Sequence, residues 1–491
     1  MQRVFSLAAI VPLLILNTGH MADAAGDPMR VDKVERHAFY LSLLAAAQDN
    51  ERNGRGIPSI ACLGLTGPAR NSDADNDGVD DAFDAVPDNA DEFAKDNNGD
   101  GSYEICSIEQ LQAIVTLGQG EGNSTLLTTG QRLRRNYQLA ADLDAASIEN
   151  FVPIGNCGTD GECAVESSRD GYSGVFDGRN RTIRNLTIDQ PALGGVGLIG
   201  ALAESGVILN LNLENANVKG RSRTGIVVGA NTGTIFKVRA AGKVEADEAA
   251  GGLAGSNSGL IVDSAATGTV MARQMAGGLV GDMTGAVFDS AAAVDVGGSR
   301  GLGGLAGVST FGTIIGGQAS GTVKGEGDLG GLVGVNTDAT VSNSFSTSSV
   351  TGTAVHVGGL IGDNALGLVR NSYATGPVQG GNGVGALTGR NNGIIRRSYA
   401  LGEVTAETNG GGLIGERVGG EDRDSFTDSA QLTPSKTGWS PDRLPVNDFL
   451  DYFCDLNRNG YIDPDERVRT NFVWIFTRRA PPSLRCNPAK S

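Results

Sequence analysis

Aromatic residues make up only 5% of the 491-residue chain, which leaves little material for a thick globular core. Histidine is almost missing, with three residues, too few for a His-rich zinc cluster. The six cysteines include no Cys-x-x-Cys pair, so a redox or zinc site is not expected. Basic residues are short of acidic ones, 39 against 56, for a net charge of −17. Nucleic acids and anionic membranes bind basic faces, so this balance excludes them as partners. There is no His-Glu-x-x-His, the helix motif of many zinc peptidases. No segment matches the ~20 consecutive apolar residues that span a bilayer as a helix. Proline is limited to 15 residues and no Gly-X-Y register exists, so the 74 glycines do not make collagen.

What is present is one phrase, repeated. It reads Gly-Gly-Leu-Ala-Gly at 251–255, Gly-Gly-Leu-Val-Gly at 277–281 and Gly-Gly-Leu-Ile-Gly at 358–362. The central apolar residue falls at Leu198, Val227, Leu253, Leu279, Leu305, Leu332, Leu360, Leu387 and Leu413. These are 26 to 29 residues apart, the signature of a solenoid or propeller. A second apolar station lies eight or nine residues later (Ile235, Ile261, Val287, Ile314, Val341, Val369, Ile395). A third lies seventeen or eighteen later (Val244, Val270, Val296, Val323, Val350, Val378, Val404). Three short β-forming segments per period make three strands per turn, and stacking identical turns builds a narrow continuous core. This predicts an all-β fold, a parallel β-helix (β-solenoid), with strands ~4.8 Å apart along the stack. Propeller blades need ~40–50 residues each. A helical repeat would lose ~1 kcal/mol at every interior Gly. The Gly two residues after each central apolar residue, from Gly200 to Gly415, implies either a positive-φ corner or close approach of stacked backbones.

The repeats occupy 191–430, and the short strands of 107–190 read as their irregular first turns, capping one end. Residues 107–117 predict a short helix capped by Ser107, with Gln110 three residues on. Residues 1–25 read as a signal peptide: Arg3, an apolar run, then Ala22-Asp-Ala24. Residues 26–70 read as a helix (31–48) followed by a linker. Export fits the cysteines, for which one bridge per module (Cys62 with Cys106, Cys157 with Cys163, Cys454 with Cys486) is one of the 15 connectivities that six cysteines allow.

Oxygen ligands at loop positions 1, 3, 5, 9 and 12, a Gly at 6 and a carbonyl at 7 form a Ca²⁺ cage. Segment 71–106 contains two such loops. Asp73, Asp75, Asp77, Val79 (by its carbonyl), Asp81 and Asp84 fill the first completely. Asp96, Asn98, Asp100, Ser102 (carbonyl) and Glu104 form the second, which has Ser107 at the closing position and is weaker. The alternative is a disordered acidic linker. In 431–491 a Pro-bearing linker precedes a third loop, Asp455, Asn457, Asn459, Tyr461 (carbonyl), Asp463 and Glu466. Calcium is therefore the expected cofactor.

The acidic stretch resembles thrombospondin type 3 repeats over roughly 35 residues, and the last loop is similar to EF-hand and dockerin-like loops. The phrase Gly-Gly-Leu-x-Gly, with Ser-Tyr-Ala-Thr-Gly at 372–376 and Ser-Tyr-Ala-Leu-Gly at 398–402, looks like the GLUG repeat family. That resemblance covers about 107–430. It implies a bacterial exported or surface protein with an adhesin-like or structural role, as in the non-catalytic part of some IgA-specific metallopeptidases. It does not imply peptidase activity.

Two sets of residues have the side chains that catalysis needs. Asp263 and Asp289 sit on adjacent turns, where carboxylates ~5 Å apart would suit a retaining glycosidase. Their neighbours Ala265 and Ala291 supply no sugar platform, so a solvated polar ladder is the simpler reading. The serines Ser264, Ser290, Ser344, Ser372 and Ser398 have no His partner, and His356 stands alone among apolar residues as a surface loop residue. The sequence thus points to a non-enzymatic secreted scaffold binding glycan or protein ligands. A polysaccharide-active β-helix hydrolase or lyase is the alternative.

Overall fold

The computed structural model describes residue 94, residues 101–116, 129–155, 171–423 and 425–427, and the backbone of strands Asn471–Thr477 and Ala480–Asn487. All lie in the second of two compact units, residues 61–491. The signal peptide, the helix and linker of 26–70, the loops at 73–84 and 455–466, the Cys157–Cys163 bridge and the linker from 431 lie outside the described residues.

The three apolar stations become three parallel sheets on one winding path. One sheet has twelve strands in strict sequence order, from Ser102–Ile105 to Glu421–Arg423. A second has nine, from Ile199–Leu202 to Ile414–Arg417, one for each glycine phrase. The third carries the longest strands, such as Arg239–Gly251 and Ala265–Gly277. Each strand pairs with its counterpart one turn away, Ile235 with Ile261 and Val244 with Val270. The protein is a parallel β-solenoid of about nine regular turns, as the periodicity requires.

The core is the stack of stations. Leu253, Leu279, Leu332, Leu360 and Leu387 are fully buried, as are Ile235, Ile261, Val287 and Ile314. Two polar ladders run inside with them. Asn336, Asn364 and Asn391 are buried; Asn336 Nδ2 donates to Asn364 Oδ1 at 2.8 Å and Asn364 Nδ2 to Asn391 Oδ1 at 2.7 Å. The serine ladder links turns differently, through backbone groups at another corner. Ser264 Oγ donates to the Val262 carbonyl (2.8 Å) and accepts from Val238 N (3.2 Å). Ser344, Ser372 and Ser398 repeat the pattern. These hydroxyls satisfy backbone groups that the corner would otherwise strand, and they are structural.

The conserved-spacing glycines serve close approach, since none of Gly200 to Gly415 has positive φ. A Cβ on Gly255 would lie 2.0 Å from the Arg223 carbonyl carbon, and one on Gly389 2.4 Å from that of His356. The left-handed residues are the partners in those contacts. Gly195, Arg223, Ala249, Met275, Gly301, Asp328, His356, Gly383 and Asn409 take φ of 48 to 70° in successive turns.

The helix runs Ile108–Thr116, with Ile108, Leu111, Ile114 and Val115 buried in the core. Ser107 Oγ accepts from Gln110 N (3.2 Å), and Gln110 Oε1 accepts from Cys106 N (2.7 Å), a shifted capping box. Buried Arg132 donates to the Ile114 carbonyl near the helix end (2.9 Å). The twelve-stranded sheet starts at Ser102, ahead of residue 107, so the end of the acidic segment is already part of the solenoid. At the other end of the chain, Asn471–Thr477 and Ala480–Asn487 form an antiparallel hairpin.

Candidate functional site

Inner positions repeat and outer positions vary, so specificity has to lie outside. Two outer features stand out, both at corners.

The first is the corner leaving the twelve-stranded sheet. Every turn crosses it through a left-handed residue: Asn210, Lys237, Asp263, Asp289, Gly316, Asn343, Asn371, Arg397. Before the corner the register column is Val262, Phe288, Ile315, Ser342, Arg370, Arg396, Arg423, buried at Val262 and Ser342 and reaching the surface at the arginines. After it the register column is Ala265, Ala291, Gln318, Phe345, Tyr373 and Tyr399, of which Tyr399 is buried. The strip therefore changes chemistry along its length, from acidic and aliphatic in the early turns to cationic and aromatic in the late ones.

In the early turns Asp263 is claimed by Arg239, whose Nη2 lies 2.9 Å from Oδ1. Crowding by the surrounding turns, and then the charge of Asp263, push the Asp289 carboxyl up, to about 6. Asp289 as a residue remains exposed, so solvent screens part of that effect. A raised acid beside an ionised carboxylate is a glycosidase pattern, but here Arg239 occupies the second carboxylate, and Ala265 and Ala291 leave the strip bare of aromatic rings beside the pair. The rings lie three turns further on. Phe345, Tyr373 and Tyr399 stack at 5.0 and 4.9 Å between centroids, within 5° of parallel.

The second feature corrects the reading of His356. It is half-buried and anything but isolated: Nδ1 lies 2.8 Å from Asp328 Oδ1, and Nε2 lies 3.4 Å from Glu416 Oε2. Arg300 Nη2 approaches Asp328 Oδ2 at 3.0 Å, and Arg390 Nη1 approaches Asp363 Oδ2 at 3.0 Å. Asp328, His356 and Asp363 have the proximity of metal ligands. Arg300 and Arg390 already neutralise the two aspartates, however, and Ca²⁺ seeks six to eight oxygens rather than a ring nitrogen. The arrangement is an ion-pair network that ties four turns together. The hydrogen bond to Asp328, outweighing burial, raises the His356 pKa. Burial pushes the Asp328 carboxyl up, but the His356 hydrogen bond and the Arg300 charge more than offset it and hold it below the usual range.

This gives a pH prediction. A His whose folded pKa is raised adds stability that is fully present below its ordinary value of 6.5 and lost as pH rises through the folded value. The melting temperature of His356→Gln is expected to fall furthest below wild type near pH 6, with the gap closing in mildly alkaline buffer. A gap independent of pH would show that the ring acts by packing alone.

Of the predicted calcium ligands, Ser102 and Glu104 are described. They sit on the first strand, which pairs with Asn136–Leu139, and Glu104 is buried. Gly101 has φ +85°, the turn geometry expected at position 6 of that loop. Asp96, Asn98 and Asp100, and all ligands of the other two loops, lie outside the described residues. Cys106 is disulfide-bonded.

No family model matches the chain. Over 158 residues it is 36% identical to halomucin of Haloquadratum walsbyi, a stretch that is 30% of this chain and 2% of halomucin. A solved structure of a Bacteroides ovatus protein, provisionally described as an immunoglobulin A1 protease, shares 19% identity over 67% of this chain and 85% of its own, with a TM-score of 0.36. That likeness is too low to carry an activity across. No helix among the described residues is long and apolar enough to cross a membrane.

Proposed function

We propose that this chain is an extracellular or surface-displayed β-solenoid scaffold, adhesin-like, that binds a glycan or protein ligand without transforming it. The observation that carries the reading is the division of labour in each turn. Buried Ser, Asn and Leu ladders are consumed in holding the stack, while chemistry varies on the outer corner strip. The signal-like N terminus, the GLUG-like phrase and the recurrence of part of the chain within the far longer halomucin support it. Calcium is part of the proposal. Oxygen-rich loops flank the solenoid in sequence, and the left-handed Gly101 fits the turn such a loop needs. Bound calcium would neutralise clustered carboxylates and order both flanks.

The test is a binding screen of the full chain over immobilised glycans and matrix proteins, with calcium and with EGTA. Retention of at least one ligand class is expected, together with a melting temperature lowered by EGTA. Unchanged melting and no calcium uptake by calorimetry would remove calcium from the account. A second reading, a polysaccharide-cleaving enzyme, draws on Asp289 and its raised pKa.

A further inference from the structure

We propose that the late turns of the outer corner strip bind an anionic polysaccharide, held by Arg370, Arg396 and Arg423 beside the Tyr373–Tyr399 stack. The inference rests on the glycan-binding reading above and names its ligand class.

The register places Arg370 opposite Arg396 and Arg396 opposite Arg423. Strand neighbours lie ~4.8 Å apart, and like charges directly opposite one another are unfavourable. The chain has acids in excess, so partners were available. Arg423 has one in Glu421, at 3.0 Å. Among the described residues, Arg370 and Arg396 have no ion-pair partner, and the Nε of each is buried without a hydrogen-bond acceptor. Asn343 Nδ2, at the same corner, is a third buried donor without an acceptor. A buried donor left unmade is costly; these atoms are closed to solvent, so a ligand would meet the remainder of the half-buried Arg370 and Arg396 side chains, whose charge has no ion-pair partner among the described residues. Guanidinium groups match carboxylate and sulfate geometry.

The periodic spacing calls for a ligand with repeated charge, because a single small anion would meet one turn only. Phe345, Tyr373 and Tyr399 stack face to face along the other flank of the corner, so their ring faces cover one another and the stack fixes the shape of the strip beside the arginines. The early turns of the same column carry Val262, Phe288, Ile315 and Ser342 in place of arginine, which confines a repeating anion to the late turns. The rest of the molecule, at −17, disfavours nucleic acid, which needs an extended basic face.

The test measures retention of the full chain on immobilised polygalacturonate (carboxylated), dextran sulfate (sulfated), dextran (neutral) and single-stranded DNA. Retention is expected on one or both charged glycans, and which one names the anion. It should weaken as salt is added, a control that needs no variant. The double variant Arg370→Gln/Arg396→Gln, checked by thermal unfolding, should bind at least about tenfold more weakly, since two charge-assisted contacts are lost. Arg221→Gln, on an exposed early-turn position, should bind as wild type. Wild-type retention by the double variant, indifference to salt, or tighter binding to DNA would overturn the proposal. Retention on dextran unaltered by the double variant would overturn the arginine strip and leave the glycan-binding scaffold standing. No retention on any glycan would overturn both.

Discussion

Replacing Gly255 by alanine is expected to cost about 3 kcal/mol, the upper end of what overpacking costs. The new Cβ would sit 2.0 Å from the Arg223 carbonyl carbon and 2.2 Å from Thr224 N. Both atoms are backbone, so no rotamer change relieves the clash. Arg223 is itself left-handed, at φ 48°, and cannot yield without breaking its corner. The adjoining turns would have to separate, and each turn is stabilised mainly by its neighbours. Gly171→Ala is the matched control. There the nearest atom to the new Cβ is 3.3 Å away, and the loss should be about 1 kcal/mol or less. Urea unfolding of both variants checks the difference. Equal tolerance at the two sites would mean that Gly255 is not a contact between stacked backbones.

Leu332→Ala should lose about 4 kcal/mol, within the range for large-to-small changes at fully buried sites. Leu332 is completely buried between Leu305 and Leu360. The cavity cannot close by collapse of the stack, because backbone hydrogen bonds set the spacing of the turns. Leu305 N donates to the Leu332 carbonyl at 2.8 Å, and Leu332 N donates to that of Leu360 at 2.9 Å. Leu413, immediately before the terminal strand of the nine-stranded sheet, has a stacked leucine, Leu387, on one side only among the described residues, so Leu413→Ala should lose about half as much. Denaturant midpoints with unchanged m-values would report both losses as stability alone. A smaller loss at Leu332 than at Leu413 would contradict a core held by stacking.

The inside of the molecule was legible in the sequence because stacking forces it to repeat. Leu279 must match Leu305 one turn on, and the period exposes the match. The helix at Ile108–Thr116 was legible for a local reason, its Ser107 and Gln110 cap. The glycine phrase was half legible. Its spacing pointed to a backbone constraint, but which residue turns left-handed depends on corner geometry, and Arg223, Met275 and His356 accept that strain at about 1–2 kcal/mol each. The outer surface was legible only in part, since its chemistry lies across turns. His356 meets Asp328, 28 residues away, so a reading along the chain saw it among apolar neighbours. Arg370, Arg396 and Arg423 were missed for the same reason. At the repeat period the three arginines fall in one column beside that of Tyr373 and Tyr399, a signal carried by polar positions as well as by the apolar stations.

The solenoid is proposed to hold its ligand and leave it intact. One measurement addresses both halves: incubate the purified full chain, with calcium, with a panel of acidic and neutral polysaccharides, and record bound protein and released fragments from the same samples. The account predicts retention on at least one acidic polysaccharide with no new reducing or unsaturated ends. Fragment release that vanishes in Asp289→Asn would contradict it and make the early turns of the strip an active site.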